Sequence, residues 1–191
     1  MSRAFTIGHS NHSIERFVEF LEAYGIDVVA DVRSTPTSRY SPQFAADALA
    51  RSLSTIGLRY AFLGRQLGGR PTDPALYDEE GHVLYGLLSR SPAFVEGIER
   101  LVRGVEGNRV AVMCGEEDPT SCHRRRLIGR VLRERGVEVI HIRADGRLQS
   151  ETEVEREEQL RFPGRFQLRL LSIDGGWRST KPVSQRPRVM P

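Results

Sequence analysis

The side chains best suited to chemistry are concentrated in residues 113–126, which read MCGEEDPTSCHRRR. This stretch contains the two cysteines of the chain, Cys114 and Cys122, together with Glu116 and His123. Thiol, imidazole and carboxylate groups serve as nucleophiles, general acids and bases, or metal ligands. The stretch is therefore one half of a candidate site.

The other half follows two further predicted strands, residues 4–7 and 28–30. Each apolar run stops at polar side chains that could face a ligand: Gly8, His9, Ser10, Asn11, Asp31, Arg33 and Arg39. Ligands of parallel α/β sheets bind at the carboxyl ends of the strands. We therefore expect both halves to line a single cleft at one edge of the sheet.

The arginines of this cleft suit an anionic ligand. We predict that Arg33, Arg39 and Arg124 bind phosphate. The pair Asp118-Pro119 predicts the start of a helix, whose first free N–H groups attract anions. Helical spacing directs Arg124 toward the cleft and leaves Cys122 at the rim or in solvent.

The carboxylates of the cleft suit acid or base chemistry. Asp31 or Glu116 is predicted to be the general acid or base, or a nucleophilic carboxylate. His9 and Ser10 are predicted to position the substrate. An alternative interpretation is that Asp31, Glu116 and Glu117 simply pair with Arg33 and Arg39.

The cysteines leave two further hypotheses open. Cys114 could be the nucleophile of a thiol enzyme that transfers sulfur or phosphate, although the acids after it disfavour a thiolate. Cys114, Cys122, His123 and His9 could together hold a metal. The eight-residue cysteine spacing is not that of a zinc knuckle, and adjacent ligands such as Cys122 and His123 are awkward, so no metal or cofactor is predicted.

The elements that must position these groups alternate between strands and helices. Five apolar runs are separated by helices that begin at cap-proline pairs such as Ser41-Pro42 and Ser91-Pro92. This pattern predicts a three-layer α/β fold of Rossmann-like type, with a mostly parallel sheet of about five strands and helices on both faces. Strand order is not predicted.

The domain organisation follows from where this pattern stops. Residues 1–171 form the predicted single α/β domain, with a loop-rich insertion at 63–90. Within the domain, a charged helix is predicted at 151–160 and an edge strand at 165–171. Residues 172–191 are rich in glycine, proline and arginine, and are predicted to be a flexible basic tail.

Composition limits the compartment and the partners. No apolar run is long enough to cross a membrane and no secretory signal is visible, so a cytoplasmic location is expected. The net charge is +3. An anionic small molecule or nucleotide is the expected partner, and nucleic acid is an alternative that could use Trp177, Lys181 and the tail arginines Arg178, Arg186 and Arg188. Oligomeric state is not predicted.

Four short strings in the chain occur together in a known family. They are TIGHS at 6–10, DVRSxPxSR at 31–39, LGG at 67–69 and CxExxPxxCHR at 114–124. From about residue 4 to residue 170, the chain resembles the family catalogued as domain of unknown function 488. The resemblance implies an α/β fold and a motif set consisting of Gly8, His9, Ser10, Asp31, Arg33, Pro36, Ser38, Arg39, Gly68, Cys114, Glu116, Cys122, His123 and Arg124. The residues of this set that we expect to bind the ligand are Gly8, Ser10, Arg33, Ser38, Arg39, Cys122, His123 and Arg124.

The residues and the resemblance lead to three functional hypotheses. The first is an enzyme or enzyme-like binder of a phosphate-bearing ligand, such as a nucleotide or a nucleic-acid end, acting as a hydrolase or transferase. The second is a Cys114 thiol enzyme. The third is a non-catalytic module that binds nucleic acid or regulates another protein.

Overall fold

The structure is a computed structural model that describes residues 2–37, 39–161 and 176–183. The strands of this part of the chain are β1 (Arg3–Gly8), β2 (Val28–Asp31), β3 (Arg59–Phe62), β4 (Val110–Cys114), β5 (Glu138–Ile142) and β6 (Leu148–Ser150). They form one open sheet in the order β3-β2-β4-β1-β5-β6. All neighbouring pairs are parallel except β5 and β6. The predicted α/β class with a mostly parallel sheet is confirmed, and β6 is an additional strand.

The helices of the described residues are α1 (Ile14–Ala23), α2 (Ala46–Ser54), α3 (Gly64–Leu67), α4 (Tyr85–Leu88), α5 (Pro92–Gly107), α6 (Arg130–Glu134) and α7 (Glu151–Arg161). A π-helix, Arg124–Gly129, leads directly into α6. The cap signals explain two of the starts, because the hydroxyls of Ser13 and Ser91 accept hydrogen bonds from N–H groups in the first turns of α1 and α5. None of these helices is long and apolar enough to span a membrane.

Two apolar layers lie on opposite faces of the sheet, because strand side chains alternate between the faces. On one face α1 and α2 cover the sheet, and their buried residues include Phe17, Leu21, Leu49 and Leu53. On the other face α5 and the helix that follows β4 cover it, and their buried residues include Ile98, Leu101, Leu127 and Leu132. The result is the predicted three-layer arrangement.

The helix predicted from Ser41 is interrupted. A 3-10 turn, Pro42–Phe44, comes first, and α2 begins only after Ala45, which has an extended backbone. The interruption leaves the carbonyl of Phe44 free to accept a hydrogen bond from Arg33 at 2.7 Å. A buried guanidinium thus gains a partner that a continuous helix would have used internally.

Part of the predicted tail packs against the domain. Trp177 donates its indole N–H to the carbonyl of Arg126 at 2.8 Å, and the Arg130 guanidinium lies 4.1 Å from the centre of the Trp177 ring. Ser179 is buried and exchanges two hydrogen bonds with the backbone of Val83. Residues 176–183, which belong to the predicted basic tail, are therefore held against the domain by an aromatic ring and a small polar side chain.

The other tail predictions have separate outcomes. Arg178, predicted as a nucleic-acid contact, pairs with Asp78 and with Glu80. Arg186, Arg188 and the predicted edge strand at 165–171 lie outside the described residues.

Candidate metal centre

Three strand ends meet at the centre of the sheet because β4 lies between β1 and β2. In this register Gly8 is opposite Cys114, and Asp31 is opposite Met113. The backbone N–H of His9 extends the pairing by donating to the Cys114 carbonyl at 2.9 Å. The sheet therefore brings the two predicted halves of the site to one edge.

The predicted helix start at Asp118-Pro119 is wrong. An irregular turn follows β4, and the helix begins at His123. The Asp118 carboxylate accepts a hydrogen bond from the N–H of Thr120 at 2.9 Å, which closes a local turn instead of capping a helix. The anion site predicted at that helix end therefore has no helix behind it. Cys122, predicted to lie at the rim or in solvent, is 1% exposed.

The irregular turn gathers four potential metal ligands. The donor atoms of Cys114, Glu116, Cys122 and His123 all lie within 4.8 Å of one another. Oε2 of Glu116 is 2.9 Å from the Cys114 sulfur and 3.1 Å from the Cys122 sulfur. Nδ1 of His123 is 3.7 and 3.9 Å from the same two sulfurs. Cysteine sulfur, histidine nitrogen and carboxylate oxygen are the three ligand types that bind zinc in proteins.

The geometric objection to a metal at Cys122 and His123 does not hold in this turn. Adjacent residues within a helix project about 100° apart. Cys122, however, precedes the helix, so its side chain can turn toward the same point as that of His123. The fourth donor is Glu116, whereas the metal hypothesis from the sequence used His9.

The His123 ring is oriented by groups outside the four donors. Its Nε2 lies 3.1 Å from the backbone carbonyl of Val32, which can only accept, so Nε2 carries the proton. When the ring is neutral, Nδ1 presents a lone pair toward the two sulfurs, and a histidine anchored in this way is characteristic of metal ligands. Gly69 allows the ring to sit here, since a Cβ at this residue would lie 2.7 Å from Cγ of His123.

The electrostatics of the two thiols differ. Burial opposes ionisation of Cys122, but its hydrogen bond with Cys114 and the charge of Arg124 outweigh burial and hold its pKa well below the ordinary value. The pKa of Cys114 is raised by its hydrogen bond with Cys122, by burial and by Glu116. Burial lowers the pKa of His123, but the Cys122 thiolate outweighs it and the net direction is upward. Cys122 therefore ionises first.

Arg124 supports the loop that carries Glu116. Its side chain is fully buried, and its guanidinium donates to the backbone carbonyl of Glu116 and, at 2.6 Å, to that of Glu117. Its Nε donates to the hydroxyl of Thr6 at 3.3 Å. These hydrogen bonds account for the guanidinium within the protein, so the predicted role of Arg124 in phosphate binding receives no support from its position.

Asp31 and Arg33 form a buried ion pair. Asp31 is 0% exposed, and its Oδ2 lies 2.6 Å from Nη2 of Arg33. The same oxygen accepts a hydrogen bond from the Tyr60 hydroxyl at 2.7 Å. The alternative interpretation of Asp31 as the ion-pair partner of Arg33 is confirmed. The predicted roles in acid/base chemistry and phosphate binding stay predictions.

His9 lies beside this pair. Its ring stacks on Phe44 with 4.5 Å between the ring centres, Nδ1 donates to the carbonyl of Ser10 at 2.8 Å, and Nε2 accepts from Arg33 at 3.3 Å. Burial lowers the pKa of His9, which favours the neutral ring. Ser10 has a left-handed backbone with φ 47°.

The remaining predicted ligand-binding residues lie on the loop after β2. Arg39 is exposed to solvent. Ser38 lies outside the described residues. Their predicted roles stay predictions, as do the roles of His9 and Ser10 in substrate positioning.

Gly8 is required by the close approach of the Glu116 loop. A Cβ at this position would overlap the backbone carbonyl of Glu116. We expect Gly8→Ala to lower the free energy of unfolding by about 3 kcal/mol, because the obstacle is backbone and cannot rotate away. Gly107→Ala is a matched control with no atom within 4 Å of the added Cβ, and should be neutral or stabilising. Urea unfolding checks both, and equal stabilities would contradict this packing.

The fold and the cluster define the class of protein: an α/β protein with a thiol, imidazole and carboxylate cluster at the carboxyl edge of a mostly parallel sheet. A family model described as "Domain of unknown function DUF488" matches residues 13–131. The chain belongs to this family. No curated protein and no solved structure matches the chain.

Sequence reasoning missed two parts of the centre. It paired the thiols and imidazole with His9 and assigned Glu116 to acid/base chemistry only. It also had no reason to connect Gly69 with His123, which are brought together by the tertiary fold. The available signal was the joint occurrence of LGG and CxExxPxxCHR in one chain.

Proposed function

We propose that the protein is a zinc-dependent enzyme. Cys114, Cys122 and His123 are its permanent ligands, and Glu116 is an exchangeable fourth ligand. The observation that carries this proposal is the convergence of four donor atoms within 4.8 Å, where Glu116 is the one exposed member and the other three are buried.

The donor types favour zinc over other common ions. Magnesium and calcium require oxygen ligands, whereas thiolate and imidazole suit zinc and related transition metals. The lowered pKa of Cys122 supplies one thiolate before a metal arrives. Binding then displaces the proton of Cys114, since thiols bind metals in the deprotonated form.

The exposure of Glu116 favours a catalytic centre over a structural one. Structural zinc sites are closed by four protein ligands, whereas catalytic sites keep three and leave one position for water or substrate. An exposed carboxylate can move aside and admit water to that position. A zinc ion held by Cys114, Cys122 and His123 would supply Lewis-acid activation of water for attack on a carbonyl or phosphoryl group, and Glu116 would accept the proton of that water. Among the reactions of such centres, hydrolysis is the class that we propose, because an exposed carboxylate beside the open position suits a general base for water.

The earlier functional hypotheses fit this centre to different degrees. A phosphate-bearing substrate is compatible with it, and among the predicted arginines Arg39 is the one exposed to solvent. A Cys114 nucleophile is disfavoured because its hydrogen bond with Cys122, burial and the neighbouring Glu116 raise the pKa of its thiol. A nucleic-acid module stays a prediction without support from Arg178, whose guanidinium is paired.

Calorimetric titration of the metal-free full chain with zinc tests the proposal. We expect one ion per chain. Cys114→Ser and Cys122→Ser should each weaken binding by more than about 100-fold, because loss of a direct ligand costs at least as much as loss of a supporting residue. Glu116→Gln should weaken it by less than about 10-fold, since water can replace an exchangeable ligand.

Glu106→Gln, an exposed change on α5, is the matched control and should leave zinc affinity unchanged. Absence of zinc binding by the wild-type chain would refute the proposal. A Glu116→Gln loss as large as that of Cys122→Ser would refute the exchangeable position, because the centre would then be a closed structural site.

A further inference from the structure

A buried network of polar side chains lies behind the loop that carries Glu116. The Thr6 hydroxyl is 2.7 Å from Nδ1 of His141, its neighbour across the β1–β5 pair. Nε2 of His141 is 3.0 Å from Oε2 of Glu151, the first residue of α7. Thr6, His141 and Glu151 are 1%, 0% and 8% exposed. Polar groups buried this deeply must satisfy one another.

One placement of the hydrogen atoms satisfies every hydrogen bond of this network. Nε of Arg124 can only donate, so the Thr6 oxygen accepts from it, and the Thr6 hydroxyl hydrogen is directed to Nδ1 of His141. Nε2 of His141 then carries the ring proton and donates to the Glu151 carboxylate. Burial lowers the pKa of His141, which keeps the ring neutral as this arrangement requires.

The three residues have the composition of a hydrolase triad, but they cannot act as one. Thr6 lies inside the sheet with its oxygen against Arg124, and it is 1% exposed. A nucleophilic hydroxyl needs open space beside it for a substrate carbonyl and an oxyanion site. The network of these three side chains must therefore have another role.

Its outward end is the Glu116 loop. Arg124 donates a hydrogen bond from Nε to Thr6. Its other two guanidinium nitrogens donate to the backbone carbonyls of Glu116 and Glu117. At the inner end, Glu151 also accepts a hydrogen bond from Arg125 at 2.7 Å. The network is therefore also connected to the helix that carries His123. Both sides of the metal cluster are thus tied to one buried network.

We propose that Thr6, His141 and Glu151 are positioning residues for the metal centre. They hold Arg124, and Arg124 fixes the backbone from which Glu116 reaches the two thiols. This inference rests on the proposed zinc function for its effect on metal affinity, but the positioning of the loop is a separate claim. Because the network acts through the exchangeable ligand Glu116, its loss should reduce zinc affinity by no more than the loss of Glu116 itself, which is less than about 10-fold.

Thr6→Val and Thr6→Ser form a matched pair, because valine keeps the shape of threonine without its hydroxyl and serine keeps the hydroxyl. Thr6→Val should weaken zinc binding by less than about 10-fold, no more than Glu116→Gln does, and Thr6→Ser should bind zinc like the wild type. Amide hydrogen exchange of residues 115–118 in the metal-free chain should be faster in Thr6→Val alone. Unchanged amide exchange and unchanged zinc affinity in a folded Thr6→Val protein would overturn the proposed positioning role.

A wild-type chain that binds no zinc would refute the enzyme proposal. The amide exchange measurement would then test by itself whether the network positions the Glu116 loop. Nitrogen NMR of His141 in the wild-type chain provides a test that needs no variant. We expect protonated Nε2 and unprotonated Nδ1. A proton on Nδ1 would overturn the proposed network, since Thr6 could not then donate to His141.

Discussion

Replacing Arg124 with methionine is expected to lower the free energy of unfolding by about 3 to 5 kcal/mol. Methionine fills similar space, but it leaves the carbonyls of Glu116 and Glu117 and the hydroxyl of Thr6 without their buried donor. Each unsatisfied buried group costs about 1 to 3 kcal/mol. Urea unfolding followed by the fluorescence of Trp177, the single tryptophan, measures the loss.

The matched control is Arg100→Met, an exposed change on α5 that should alter stability by less than about 0.5 kcal/mol. The outcome also separates two roles of Arg124. A phosphate-binding arginine would tolerate methionine with little change in unfolding and would lose anion affinity. Wild-type stability of Arg124→Met would therefore contradict the role assigned to it in holding the metal loop.

Asp31→Asn should have an effect of similar size. The carboxylate is completely buried and accepts from the side chain of Arg33, from the backbone N–H of Arg33 and from Tyr60. Asparagine keeps the shape but leaves a buried guanidinium without its counter-charge. Breaking a buried pair from one side costs about 3 to 5 kcal/mol, and urea unfolding at neutral pH measures it.

Asp47→Asn, an exposed change in the first turn of α2, is the control and should cost less than about 1 kcal/mol. A second comparison uses Asp31→Asn combined with Arg33→Met. Removing both charges should recover part of the loss, because no unpaired ion stays buried. A stable Asp31→Asn chain that had lost only its catalytic activity would instead support Asp31 as a general base.

The sheet could be predicted because its strands are continuous apolar runs between helix caps. Residues 110–113 are a clear example, since four apolar side chains in a row suit a strand covered on both faces. The strand β6 escaped prediction because Leu148–Ser150 is short and mostly polar. Its antiparallel pairing with β5 arises from a tight connection that hydrophobic periodicity does not report.

The candidate site was predicted by location but not by geometry. Strand-end logic placed Cys114, Asp31 and His9 at one edge of the sheet, as the register shows. The projection of Cys122 and Arg124 assumed a regular helix from Asp118. The chain instead forms an irregular turn and then a π-helix, and π-helical turns are frequent at functional sites but have no spacing signal in a single sequence.

Arg124 illustrates how local reasoning failed at this site. Its direction toward the strand ends was inferred correctly, yet its partners are backbone carbonyls that no residue pattern announces. Sequence identifies which side chains can bind an anion. It does not say whether the protein itself provides the acceptors.

The absorption spectrum of the cobalt-substituted full chain tests the central claim most directly. Thiolate ligands give cobalt intense charge-transfer bands in the near ultraviolet, and a four-coordinate centre gives strong visible bands. We predict both in the wild-type chain, with the near-ultraviolet intensity reduced by about half in Cys114→Ser or Cys122→Ser, since one of two thiolates is lost. A cobalt spectrum without thiolate bands, or one unchanged by either cysteine substitution, would contradict the proposed metal centre.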